Sequence, residues 1–184
     1  MKIELIRHFR VDHKWKAFYT SDELKTDCEK YDNAEIINTS EIANRHGNVY
    51  ISQLKRTNLT SKFLVNKSNI SIEPLLNEVS LNPFCVLNKK APLLIWVLLW
   101  KTNWLFNIKA IDEVQNETKN RAELFLKKIE ENGEDVTVVG HANYFSVLLK
   151  LLKKRNYKGN YSAFPFRNGE MRVFQSDRRE PESM

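Results

Sequence analysis

The chain has 184 residues, enough to bury a sizeable core, and its 42% hydrophobic and 28% charged residues exclude a disordered or fibrous protein. Its 29 Lys and Arg against 23 Asp and Glu give a net charge of +6. That charge is scattered, and its main cluster, Lys153-Lys154-Arg155 with Lys158, falls at an expected helix end where cations are favoured anyway, so the balance argues against a nucleic-acid partner and suits a small anionic one.

In chain order, Ile3-Glu4-Leu5-Ile6 reads as a buried parallel strand, ending at Arg7-His8. His13 is expected at the surface. Tyr19 to Lys30 has helical character, with Thr20 or Ser21 as cap. Ala34 to Ile37 reads as a short strand. Ser40 to Arg45 reads as a short helix, capped by Thr39 or Ser40 and closed at His46-Gly47, with His46 exposed. Val49-Tyr50-Ile51 is the next strand. Ser52 then caps a helix from Gln53 to Val65, with Leu54, Leu59 and Phe63 inward and Arg56 about one turn in, near the positive end. Ile70-Ser71-Ile72 is a further strand, followed by two acidic residues, Glu73 and Glu78.

Ala91 to Trp100 is an apolar run interrupted by Lys101, too short to span a bilayer. Pro92 fits its first helical turn. Trp96, Trp100 and Trp104 share one helical face. That face reads as buried or as a homodimer contact, with an apolar wall over a binding site as the functional reading and no membrane partner expected. Val114 to Glu131 is the clearest helix, through Ala122, Phe125, Leu126 and Ile129, closed by Asn132-Gly133. Val136 to Val139 is a second buried strand, ending at Gly140-His141, where Gly140 marks a close backbone approach. Asn143 to Lys154 is a helix with Phe145, Val147, Leu148, Leu151 and Leu152 inward. Tyr161 to Phe166 and Met171 to Gln175 read as a closing hairpin about Arg167-Asn168-Gly169-Glu170. Residues 176–184 read as a disordered tail. The alternation gives an α/β fold: a three-layer sandwich, a mostly parallel central sheet with helices on both faces. Cys28 and Cys85 form no metal pattern and suggest a reducing cytoplasm. The N-terminus has no signal-peptide layout.

The histidines His8 and His141 would face each other at the carboxyl edge of the sheet, where such folds bind ligands. Arg7 and Arg56 are forks suited to phosphate. Arg7-His8, the run Ser52-x-Leu54-x-Arg56-Thr57-x-x-Thr60, Leu76-Asn77-Glu78 and Val138-Val139-Gly140-His141 together resemble, in order, the motifs of the histidine phosphatase superfamily, also called phosphoglycerate mutase-like. The resemblance reaches from the first strand to the helix after His141. It implies one domain over residues 1–175, with residues 79–114 as a helical insertion over the site. It implies a phosphomonoester hydrolase that forms a phosphohistidine on His8. Arg7, Arg56 and His141 would cradle the phosphoryl group, Glu78 would transfer protons, and no metal or cofactor would be needed. The substrate would be a small phosphorylated molecule. A mutase and a non-catalytic phospho-ligand binder are the alternatives. The sequence departs from the family at Phe9 and Arg10, where glycine and often an acidic residue are usual. Phe9 would narrow the pocket or wall it. Arg10 would add charge, Ser52 is a further pocket candidate, and His13 or Lys14 would replace a missing polar phosphate contact.

Overall fold

A computed structural model describes residues 1–38, 47–64, 69–81, 83, 85–108, 111–162 and 164–176. The expected Ser40–Arg45 helix with its Thr39 or Ser40 cap, His46, and the tail from 177 onward lie outside them. The elements are β1 (Lys2–Arg7), β2 (Arg10–Val11), β3 (Phe18–Tyr19), α1 (Ser21–Asn33), β4 (Ile36–Ile37), β5 (Asn48–Ile51), α2 (Lys55–Leu64), β6 (Asn69–Ile72), β7 (Ala91–Pro92), α3 (Leu93–Leu105), α4 (Gln115–Asn132), β8 (Val136–Gly140), α5 (Ala142–Lys154), β9 (Lys158–Gly159) and β10 (Met171–Gln175). A 3-10 turn at Pro74–Leu76 follows β6.

Six strands form the main sheet in the order β6-β5-β8-β1-β10-β9. β6, β5, β8 and β1 run parallel, and β10 and β9 close the other edge antiparallel. Strand side chains alternate between faces, and the two cores show it. Ile3 and Leu5 of β1, Tyr50 of β5 and Val136 and Val138 of β8 pack with Phe125 and Ile129 of α4 and Phe145 and Leu148 of α5. Ile6, Val49, Ile51 and Val139 face the other way, against Leu64 of α2. Helices therefore cover both faces of a mostly parallel sheet.

Local signals set the helix ends. Thr20 and Glu23 form a reciprocal capping box on α1. Gly133, at φ 69°, closes α4 in the left-handed region. The Trp stripe of α3 is internal: Trp96, Trp100 and Trp104 are all buried. Their indole N–H groups donate to the Tyr19 carbonyl (3.2 Å), the Ser80 carbonyl (2.9 Å) and Thr118 Oγ1 (3.1 Å). The stripe is thus the buried face of α3, and the helix's exposed side carries Leu94, Ile95, Leu98 and Leu99. Among the described residues no helix is long and apolar enough to cross a membrane.

Three expectations are corrected. The described residues of the expected Tyr161–Phe166 strand form none; β10 pairs with β9 and β1. The Arg172 guanidinium takes the Ser162 and Phe164 carbonyls, so these backbone groups bond to a side chain rather than to a ladder. α2 begins at Lys55 and buries Arg56, Thr57, Thr60 and Ser61, leaving Phe63 exposed and Leu54 and Leu59 half-buried. Its hydroxyls satisfy themselves on local carbonyls, Thr60 on Arg56 and Ser61 on Asn58, which lets a polar face turn inward. His13 is no surface residue: it packs edge-on against Trp15 and Tyr31 and lies 3.3 Å from Asp27.

Candidate active site

Arg7 of β1 stands opposite Gly140 of β8 in the parallel register. His8 and His141 are therefore the first residues beyond two neighbouring strands, at the carboxyl edge of the sheet. The His8 amide donates to the Gly140 carbonyl at 3.0 Å, and the two imidazole centroids are 5.2 Å apart. The turn before β10 clamps this segment. Gly169, at φ 76°, donates its amide to the Arg7 carbonyl (3.0 Å), and Asn168 Nδ2 donates to the His8 carbonyl (3.0 Å).

His8 is 3% exposed. Its Nδ1 lies 2.7 Å from the Phe9 carbonyl, which only accepts, so the proton sits on Nδ1 and the lone pair on Nε2. Burial, then the Arg56 charge, pushes the His8 pKa down to about 3. The imidazole is thus neutral at physiological pH. His141 is fully buried. Arg56 Nε–H donates to its Nδ1 at 3.3 Å, which leaves the proton on Nε2, 2.8 Å from Ser52 Oγ. Burial and Arg56 hold its pKa well below the usual value. Ser52 Oγ also accepts the Leu54 amide (3.2 Å) and bonds Thr57 Oγ1 (2.9 Å).

Arg7 and Arg56 are each already tethered. Arg7 Nη1 donates to the Phe166 carbonyl at 2.6 Å, while its buried Nε has no partner among the described residues. Arg56, in the first turn of α2, reaches Asp32 Oδ1 at 2.5 Å through Nη1 and lies over the Tyr31 ring, 5.2 Å from its centroid. Burial lowers the Arg7 pKa from its ordinary value.

Glu78 and Glu73 separate cleanly. Glu73 is buried, caps the 3-10 turn through Leu75 and pairs with Lys128 Nζ at 2.6 Å. Glu78 instead accepts the amides of Val79 (3.0 Å), Asn143 (3.2 Å) and Tyr144 (3.1 Å), the last two at the N-terminus of α5. Its pKa is raised: burial outweighs those three bonds. Arg121 fixes the approach to it by donating to the carbonyls of Leu75 (2.6 Å) and Asn77 (2.9 Å).

Arg7, His8, Arg56 and Glu78 line one pocket of about 560 Å³. His141 and Ser52 are fully buried and are not among the residues that line it; His141 lies between His8 and Arg56, with Ser52 on its far nitrogen. Phe9 is absent from the lining too. Its ring is fully buried between Ile6, Val49, Ile51, Leu64 and Val139, and its amide donates to Thr60 Oγ1 at 3.0 Å. It neither narrows nor walls the pocket. Arg10 is exposed on β2, paired with Ile37, and His13 and Lys14 are not in the lining, so none of the three meets the pocket. Sequence reasoning missed Asp32, Tyr31 and Cys28, which line the pocket from α1, and Asn143, which lines it from α5. Their only signal is helical spacing, which puts Cys28, Tyr31 and Asp32 on one face. Lys101 of α3 also lines it, with Nζ 2.8 Å from Asn143 Oδ1.

The mostly parallel sheet carries this histidine–arginine centre at its carboxyl edge, on a pocket lined by two arginines, in an α/β protein. The chain belongs to the histidine phosphatase superfamily (branch 1), whose model matches residues 38–183. Arg7 and His8 precede the matched span; the register of β1 on β8 is what brings them to it. No curated protein matches the chain by sequence. Among solved structures it is similar to the alpha-ribazole phosphatase of Shigella flexneri, at 16% identity and TM-score 0.55, covering 94% of this chain and 89% of that one. A phosphoserine phosphatase mutant from Entamoeba histolytica gives 14%, TM-score 0.53, 94% and 89%. The mycobacterial glucosyl-3-phosphoglycerate phosphatase gives 11%, TM-score 0.51, 94% and 88%. At such identities the likeness is one of fold.

Proposed function

We propose that the protein is a phosphomonoester hydrolase working through a phosphohistidine on His8. The observation that carries this reading is the His8 Nδ1–Phe9 carbonyl bond, which holds a neutral imidazole with the Nε2 lone pair available, beside two arginines and near a carboxyl group of raised pKa. Nε2 attacks phosphorus, the ester P–O bond breaks, and Glu78 gives its proton to the leaving oxygen. Water then attacks phosphorus, Glu78 takes a proton from it, and the N–P bond breaks to restore His8. Arg7 and Arg56 stabilise the non-bridging oxygens, so their charge serves where a metal otherwise would. His141 and Ser52 act one step back, as positioning residues for Arg56. The phosphatase names of the fold neighbours agree with hydrolysis rather than mutase transfer. Residues 1–175 work as one domain, with 79–114 as its cap. Two free cysteines agree with a cytoplasmic setting, and the two arginines in the pocket suit a small phosphorylated substrate.

The test is turnover of p-nitrophenyl phosphate in EDTA and, separately, with and without vanadate in chelator-free buffer, beside His8→Ala. Metal-independent, vanadate-sensitive turnover, absent from a folded His8→Ala, is expected. Activity retained in that variant removes the mechanism. Protection by phosphate without any turnover reassigns the chain to phosphate binding alone.

A further inference from the structure

Beyond the cationic floor, the pocket changes character. Its wall is built from the loop before β3, α1, the loop after Glu78 and α3, through Trp15, Cys28, Leu81, Val97, Leu98 and Trp100. Tyr31, Ser80 and Asn143 add polar groups to the lining, but two polar atoms of the wall itself are turned to protein partners. Trp100 Nε1 donates to the Ser80 carbonyl at 2.9 Å, and Cys28 Sγ lies 2.9 Å from the Leu81 carbonyl. Burial pushes the Cys28 thiol up to about 12, so it stays neutral and serves as apolar surface. The charges at the wall are also engaged. Lys101 Nζ bonds Asn143 Oδ1 and sits 4.4 Å from the Trp104 ring centroid, and Asp32 is paired with Arg56. A sugar or acidic leaving group would find few open polar partners there, and its desolvation would go uncompensated. Leu98 lines the pocket while remaining 53% exposed, so the apolar wall continues at the mouth into the exposed Leu94, Ile95 and Leu99 side of α3.

Resting on the phosphatase reading, we infer that the substrate is the phosphomonoester of an apolar alcohol, with its hydrocarbon tail laid along the α1–α3 wall and its phosphate on Arg7 and Arg56. Hydrolysis then breaks the ester P–O bond, with the proton from Glu78 leaving on the apolar alcohol.

The experiment is an alkyl phosphate series from ethyl to octyl. Leaving-group chemistry is nearly constant across it, so differences report contact with the tail. kcat/KM is expected to climb by up to about fourfold per methylene, the factor that burial of one CH2 supplies, until the wall is filled. Val97→Asn should flatten the climb and Val97→Ile restore it; if Val97→Asn fails to fold, Leu98→Gln on the exposed side is the replacement. A flat series, or glycerol phosphate and sugar phosphates turned over faster than octyl phosphate, overturns the inference. Binding of the matching non-hydrolysable alkylphosphonates, read by calorimetry, separates the two readings. Affinity that climbs with chain length in a protein without turnover sinks the phosphatase reading and keeps the apolar subsite. Flat affinity in an active enzyme does the reverse.

Discussion

Glu78 is held by three backbone amides, yet burial keeps its proton affinity above that of an ordinary carboxyl group. A proton donor is helped by both traits: a fixed direction and a raised proton affinity. Glu78→Gln keeps the shape and loses the proton. Hydrolysis of alkyl phosphates should fall by about a hundredfold or more, the usual worth of general acid catalysis, while p-nitrophenyl phosphate, whose leaving group needs no proton, should slow far less. Equal loss on both, read from kcat/KM side by side, would mean that another group is the donor. Of the site, the convergence of Arg7, His8, Arg56 and Glu78 on one pocket was legible because each sits at the end of a strand, just beyond one, or in the turns that follow one. The tethering of His141 between Arg56 and Ser52 was not, since a sequence gives no side-chain bonding. Phe9 shows the same limit: a bulky residue in a glycine position reads as an obstruction, whereas its ring fills the core beneath α2.

The junction of β8 and α5 couples packing to chemistry. A Cβ on Gly140 would lie 2.7 Å from Cε1 and 2.8 Å from Cζ of Phe145. That ring is fully buried and sits 5.0 Å from Phe166, whose carbonyl holds Arg7, so it has little room to yield. Gly140→Ala should therefore cost about 1–3 kcal/mol, as overpacking of a tight core does, and lower Tm by several degrees. It should also reduce kcat, because α5 presents the amides that hold Glu78. An unchanged melting curve would mean that the ring moves freely. The elements that were legible are those whose periodicity and stop signals agree: β1, β8, α4 and α5, each apolar on the face it buries. α2 misled because its inward face is Arg56, Thr57, Thr60 and Ser61, a pattern that reads as solvated until local carbonyls are seen to satisfy it. Tyr161–Phe166 misled because β propensity cannot foresee that Arg172 takes its carbonyls.

The chain as a whole keeps two imidazoles neutral inside the fold, and its stability must record that. In the unfolded chain both His8 and His141 take up a proton near pH 6.5. In the fold His8 resists protonation down to about pH 3, and His141 is shifted the same way by burial and Arg56. Below pH 6.5 the unfolded state therefore binds more protons, so stability is lost as pH falls, by about 1.4 kcal/mol per unit for each such histidine. Glu78, with its raised pKa, works in the opposite sense and offsets part of one share. The depressed carboxylates Asp27 and Glu170 add to the loss only at lower pH. Urea midpoints between pH 7 and pH 5 read the two histidines against that Glu78 offset: the midpoint should fall across that window, and His8→Asn, which removes one titrating ring, should shallow the slope measurably. A midpoint independent of pH there would mean that the imidazoles carry protons in the folded state, and with them would go the neutral nucleophile on which catalysis by His8 depends.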